Sequence, residues 1–93
     1  MIKSFKCKHT AAIFRGLEVK KFSRDMQLTA YRKLVQLEAA INVEFLRVPP
    51  GNRLEKLTGD RQGSWSIRIN QQFRLCFKFE DGNAFEVEIV DYH

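Results

Sequence analysis

Residues 64–92, SWSIRINQQFRLCFKFEDGNAFEVEIVDY, decide the fold. Trp65, Ile67 and Ile69 alternate with Ser64, Ser66, Arg68 and Asn70. Phe73, Leu75, Phe77 and Phe79 alternate with Arg74, Cys76 and Lys78, and Phe85, Val87 and Ile89 alternate with Glu86, Glu88, Val90 and Tyr92. A period of two is the signature of strands buried on one side, because successive side chains leave a strand on opposite faces. Asp81-Gly82-Asn83 reads as a hairpin turn between the last two. Three strands sharing one apolar face need a cover, and that cover must come from upstream.

Upstream, Pro49-Pro50-Gly51-Asn52 is the one cluster of breakers, and helical periodicity lies before it. TAAIFR (10–15) reads as a turn or two of helix stopped by Gly16. From Gln27 to Asn42, apolar groups at Leu28, Tyr31, Leu34, Val35, Leu37, Ala39 and Ile41 suit an amphipathic helix, with Asp25, Gln27 and Thr29 as candidate caps. IKSFKC at the start suits a strand. The expected architecture is α+β in the order β-α-α-β-β-β-β: a small antiparallel sheet with two N-terminal helices packed on one face and the other face open.

The chain has 93 residues, too few for a second core, so one domain over 1–93 is expected. Its 44% hydrophobic content, with eight Phe, excludes a disordered chain. No apolar run approaches the roughly 18 residues of a membrane span. The basic N-terminus has no apolar stretch of signal-peptide type behind it, so a cytoplasmic location without membrane contact is expected. Cys7 and Cys76 read as reduced thiols. There is no metal-ligand cluster, Gly-rich nucleotide loop or Ser-His-Asp arrangement, and neither a cofactor nor a metal is expected.

Residues 1–78 carry all 16 Lys and Arg against six acids, whereas residues 79–93 carry five acids and no base. Such basicity points to a polyanionic partner, either nucleic acid or an acidic protein. The open face should display Ser64, Ser66, Arg68, Arg74, Cys76, Lys78, Glu86, Glu88, Val90 and Tyr92. It reads in two ways. Arg68, Arg74, Glu86 and Glu88 pair across strands on a solvated surface, or the guanidinium groups present planar donor forks to phosphate.

The run PPGNRLEKLTGDRQGSWSIRINQQFRLCFKF (49–79), opened by MIKSFK and closed by VEIVDYH, resembles the HigB toxins of the RelE superfamily, the plasmid-maintenance killer proteins. Three pieces carry the resemblance over essentially the whole chain: L-x-x-L-x-G-D-R-x-G-x-W/H-S-I-R-I-N, then F/W-R-h-x-F, where h is an apolar residue, then D-Y-H. The resemblance implies a type II toxin that cleaves messenger RNA on the ribosome. It also implies a HigA-type helix-turn-helix antitoxin that holds the toxin inactive, with operator DNA met only through that antitoxin. The catalytic residues so implied are Arg74, Asp91, Tyr92 and His93. Some relatives also use a His and a Lys in the strand before the Gly-Asp turn; those two positions are Glu55 and Thr58 here. Thr58 is the sharper departure, and it raises an alternative: a weakly catalytic homologue that binds an antitoxin and tunes operator repression.

The chemistry can be assigned beside the resemblance. RNA cleavage without metal needs a base for the 2′-hydroxyl, positive charge for the phosphorane and an acid for the 5′-oxygen. Arg74 supplies fixed charge. His93 titrates near neutrality and suits acid or base work. Tyr92 can stack on a base and donate a proton, and Glu55 can accept one. Asp91 falls on the apolar side of the alternation and suits orienting a neighbour. RNA-binding roles are expected for Arg53, Lys56, Arg61, Arg68 and Lys78.

Overall fold

The computed structural model describes residues 1–92. Two helices, α1 (Lys8–Phe14) and α2 (Arg24–Ala39), precede the strands β1 (Glu55–Lys56), β2 (Ser64–Arg68), β3 (Phe73–Glu80) and β4 (Asn83–Asp91). The strands pair antiparallel in sequence order. The opening segment pairs with the sheet only by isolated parallel bridges, Ile2 to Ala84 and Phe5 to Val87, so the expected first strand is an edge contact on β4. Helices on one face of an antiparallel sheet is the architecture the alternation predicts.

The core lies between the helices and one sheet face. Ile67, Leu75, Phe77, Ala84 and Val87 from the sheet meet Ile13, Met26, Ala30, Leu34 and Leu37 from the helices, all essentially without solvent exposure. Each large aliphatic or aromatic group buried this way is worth about 1.5–3 kcal/mol. On α2, Met26, Ala30, Leu34 and Leu37 form the inward stripe. Leu28, Tyr31 and Val35, expected on that stripe, are exposed, and so is Ile41 beyond the helix end. The apolar residues of α2 therefore form two stripes rather than one.

The expected caps also differ. Ser23 caps α2 by accepting from the Met26 N–H at 3.2 Å, with Asp25 in the first turn complementing the helix dipole. Gln27 instead braces the preceding loop, accepting from the Val19 N–H and donating to the carbonyls of Val19 and Phe22.

The Asp81-Gly82 turn is left-handed at both residues (φ 51° and 79°), the geometry of the predicted hairpin. One element of the alternation fails. Glu86 has φ 51°, and the register slips around it: Cys76 faces Glu88, but Lys78 faces Phe85. This bulge reverses the parity of β4. Phe85 moves to the face of Lys78, and Ala84, fully buried, takes the expected core position.

The breaker cluster is not a passive loop. Asn52 closes a 3-10 turn (Pro50–Asn52) and is completely buried. Its amide donates to Gln36 Oε1 (3.1 Å) and to the carbonyls of Leu46 (3.1 Å) and Val48 (3.5 Å), and it accepts from Lys33 Nζ (2.5 Å). Burial lowers the Lys33 pKa, so this ammonium depends on the Asn52 oxygen. Asn52→Ala would leave a partly buried cation and a buried carbonyl without their partner. We expect a loss of about 2–3 kcal/mol in urea unfolding; a loss under about 0.5 kcal/mol would mean that the loop does not need its amide.

Candidate active site

The register sorts the open face into rows, because residues directly opposite in a sheet share a face. Glu55, Ser66, Cys76 and Glu88 form one row from β1 to β4; Arg68, Arg74 and Val90 form the next. Arg74 lies on β3, an inner strand paired with β2 on one side and β4 on the other, and is only 9% exposed. Its Nε donates to Ser66 Oγ at 2.8 Å. Its Nη2 donates to the main-chain carbonyl of Arg53 at 2.6 Å and to that of Ser66 at 3.3 Å. Protein acceptors therefore occupy the Nε/Nη2 edge. The two-pronged fork expected to grip phosphate is already used, and Nη1 carries the donors that remain.

Tyr92 lies beside this group, its ring centroid 6.0 Å from the Arg74 guanidinium carbon. Its main-chain N–H donates to the Gln72 carbonyl at 2.6 Å, which fixes the residue where it leaves β4. The Tyr92 hydroxyl and the Cys76 thiol hydrogen-bond each other. Burial and the neighbouring Cys76 push the phenol above its ordinary pKa, against the pull of Arg61 and Arg74. At neutral pH Tyr92 therefore keeps its proton. Burial likewise raises the Cys76 thiol, and Glu88 adds to it, while Tyr92, Arg61 and Arg74 oppose.

Arg61 reaches the site from a 3-10 turn (Gly59–Arg61) and lies 3.6 Å from Glu88 Oε2; Lys6 lies 3.4 Å from the same oxygen. Lys78 pairs with Glu86 at 2.9 Å, both half-exposed, an arrangement worth at most about 1 kcal/mol. The cross-strand pairing expected of the open face therefore exists with different cations. Arg68 and Arg74 stand directly opposite each other, and neither pairs with a carboxylate among the described residues. Like charges in this position repel, which a bound polyanion would relieve. Arg68 Nε donates to the Asn70 carbonyl at 3.1 Å.

Of the residues singled out from sequence, Arg74, Tyr92, Arg61, Arg68, Lys78 and Glu55 share this face. Arg53 contributes a carbonyl, and its side chain is exposed. Lys56 does not join them: it faces Trp65 and Phe77 across the sheet, on the helix side, with Nζ 5.7 Å from the Trp65 ring centroid. Asp91 faces Phe73, also on the apolar side as the alternation predicts, and accepts from Gln72 Nε2 at 3.1 Å. His93 lies outside the described residues. Sequence reasoning missed Ser66 as a partner of Arg74 and Cys76 as a partner of Tyr92. The pairing of β2 with β3 was the signal that could have found Ser66.

Solved structures share this fold. The chain aligns over its full length with 95% of a chain in the crystal structure of the heterotetrameric YoeB–YefM toxin–antitoxin complex from Staphylococcus aureus, at TM-score 0.63 and 18% identity. The YoeB dimer from the same organism aligns over 99% of this chain and 94% of its own, at TM-score 0.60 and 19% identity. At that identity the likeness establishes the fold.

Residues 3–93 match the family described as RelE-like toxin of type II toxin-antitoxin system HigB, and the chain belongs to that family. Endoribonuclease HigB of Proteus vulgaris is 33% identical over 94 residues, covering both chains completely. Toxin HigB-1 of Vibrio cholerae is 52% identical over 54 residues, 58% of this chain and 57% of that protein. The chain thus spans little more than half the length of the Vibrio relative it matches.

The two thiols should separate chemically. Cys7 is half-buried; burial opposes its ionisation but is outweighed by the N–H groups of Thr10 and His9, the Thr10 hydroxyl and Lys21, which lower its pKa. In native protein at neutral pH, a disulfide reagent should label Cys7 rapidly and Cys76 only on unfolding. Cys7→Ser should abolish the fast phase. Equal rates at both thiols would show that Cys76 is not covered.

Proposed function

We propose that this chain is the toxin of a type II toxin–antitoxin system and a metal-independent endoribonuclease that cleaves messenger RNA on the ribosome. In this reading it is one cytoplasmic domain over 1–93, held inactive by a HigA-type helix-turn-helix antitoxin that alone contacts operator DNA. The observation that carries the reading is Arg74: a cation without a carboxylate partner among the described residues, sunk into the open sheet face and fixed through one edge. The endoribonuclease named among its relatives supports the reaction.

In this reading the 2′-hydroxyl attacks the adjacent phosphorus, forming the 2′-O–P bond of a cyclic phosphate, and the P–O5′ bond breaks. Charge accumulates on the phosphorane oxygens, and Arg74 Nη1 meets it without reorganisation because the rest of the guanidinium is already held. Glu55, in the row next to Arg74, takes the 2′ proton. Tyr92, kept protonated by burial and Cys76, stacks on a base and donates to the leaving 5′-oxygen. His93 serves as the second acid or base, and Asp91 orients the segment through Gln72. Arg61, Arg68, Lys78 and the Arg53 side chain meet flanking phosphates.

Induced expression should arrest growth and truncate ribosome-bound messages; intact messages during arrest would overturn the reading. Arg74→Lys keeps charge but can satisfy only part of the Ser66 and Arg53 acceptors. It should fold and lose about a hundredfold in single-turnover cleavage. Cleavage at the wild-type rate would reduce Arg74 to a structural cation.

A further inference from the structure

Among the described residues, Arg53 is one of three, with Asp81 and Glu86, that adopt positive φ without being glycine. Asp81 is explained by a hairpin turn and Glu86 by a bulge. Arg53 lies at φ 45°, ψ 58°, left-handed backbone that most L residues adopt at roughly a tenfold or greater disadvantage. Such a conformation persists only where its surroundings impose it, and it clusters at functional sites. The surroundings here are rigid. The Arg53 N–H donates to the Pro50 carbonyl at 3.1 Å and the Asn52 N–H to the Pro49 carbonyl at 2.9 Å, which closes the turn. Asn52, fully buried, ties that turn to α2 through Lys33 and Gln36.

What the imposed conformation delivers is a carbonyl. The Arg53 oxygen accepts from Arg74 Nη2 at 2.6 Å, the shortest of the guanidinium's bonds to protein acceptors. The Arg53 side chain is exposed and has no ion pair among the described residues. We propose that Arg53 is a positioning residue whose left-handed backbone, locked by Asn52, holds the Arg74 guanidinium and leaves its Nη1 donors to the RNA phosphate. This rests on the endoribonuclease reading and assigns the position of its central cation to a main-chain atom.

The test compares Arg53→Gly with Arg53→Val in the full chain. Both lack the guanidinium, so any contribution of its charge is lost equally, whereas Gly adopts positive φ freely and Val resists it. In single-turnover cleavage of ribosome-bound message, the Gly variant should be at least tenfold faster at saturation, with half-saturating concentrations equal within twofold. In nitrogen NMR, the slowly exchanging side-chain signal of Arg74 should persist in the Gly variant and be lost in the Val variant. If the Val variant does not fold, Arg53→Asn, which tolerates left-handed backbone, should outpace Arg53→Ala in the same assays. Equal rates and an equal Arg74 signal within a folded pair would overturn the proposal. Absence of cleavage by the wild type would count against the endoribonuclease reading alone, and the Arg74 signal would still decide the positioning.

Discussion

A guanidinium taken out of water must recover its lost hydration from the protein, and the arrangement of this sheet face follows from that constraint on Arg74. A guanidinium cannot shed its proton to escape burial, as a buried lysine or carboxylic acid does. Three acceptors answer it: a hydroxyl from the neighbouring strand, a carbonyl of that strand and a carbonyl from the loop before β1. All three are neutral. A carboxylate there would have satisfied the same donors but cancelled the field, whereas hydroxyl and carbonyl partners leave the positive charge directed at the open face. Ser66 is fully buried beneath the guanidinium, and the Pro-Pro-Gly-Asn turn is folded inward so that the carbonyl of Arg53, the residue after it, comes within reach.

β3 joins stability to chemistry. Phe73, Leu75 and Phe77 enter the layer under the helices, and Arg74, Cys76 and Lys78 rise on the other side. The backbone position of Arg74 is therefore set by how its neighbours pack. Leu75 and Phe77 are essentially without exposure and cannot shift without opening a cavity. A rigid platform of this kind suits catalysis by placed charge, where a displacement of about an ångström costs much of the rate.

Strands β2 to β4, the hairpin and the two-layer architecture were legible because each depends on local rules: alternation, an Asp-Gly turn, a helical stripe. What was not legible depends on pairing between distant segments. Nothing local to Glu86 signals a positive φ, so the bulge that turns Phe85 outward and Ala84 inward had no trace in the pattern. Asn52 read as a breaker because its amide is satisfied by α2 and the segment after it, not by sequence neighbours. Lys56 was expected among the RNA-binding cations with Arg53 and Arg61, yet a single step along a strand puts it on the opposite face from Glu55. The alternation placed Arg74 and Tyr92 on the open face, and resemblance to a family proposed their roles; their supporting partners, Ser66, Cys76 and the Arg53 carbonyl, required the three-dimensional register.

The parallel bridges at the start of the chain have a kinetic meaning. Ile2 and Phe5 meet Ala84 and Val87, and the Ser4 hydroxyl accepts from the Glu86 N–H across 82 positions of sequence. Closing so long a loop costs more entropy than closing the β3–β4 hairpin, whose partners meet across a two-residue turn. Closure entropy therefore favours early formation of the hairpin and late seating of the opening segment. Synthesis delivers these pieces in the opposite order. A chain emerging from the ribosome carries Lys6 long before Glu88, and Arg74 before Tyr92. Until β4 is out, it holds the cation without the surface around it, so the sheet face that surrounds Arg74 forms only after the segment that carries Arg74 has been made.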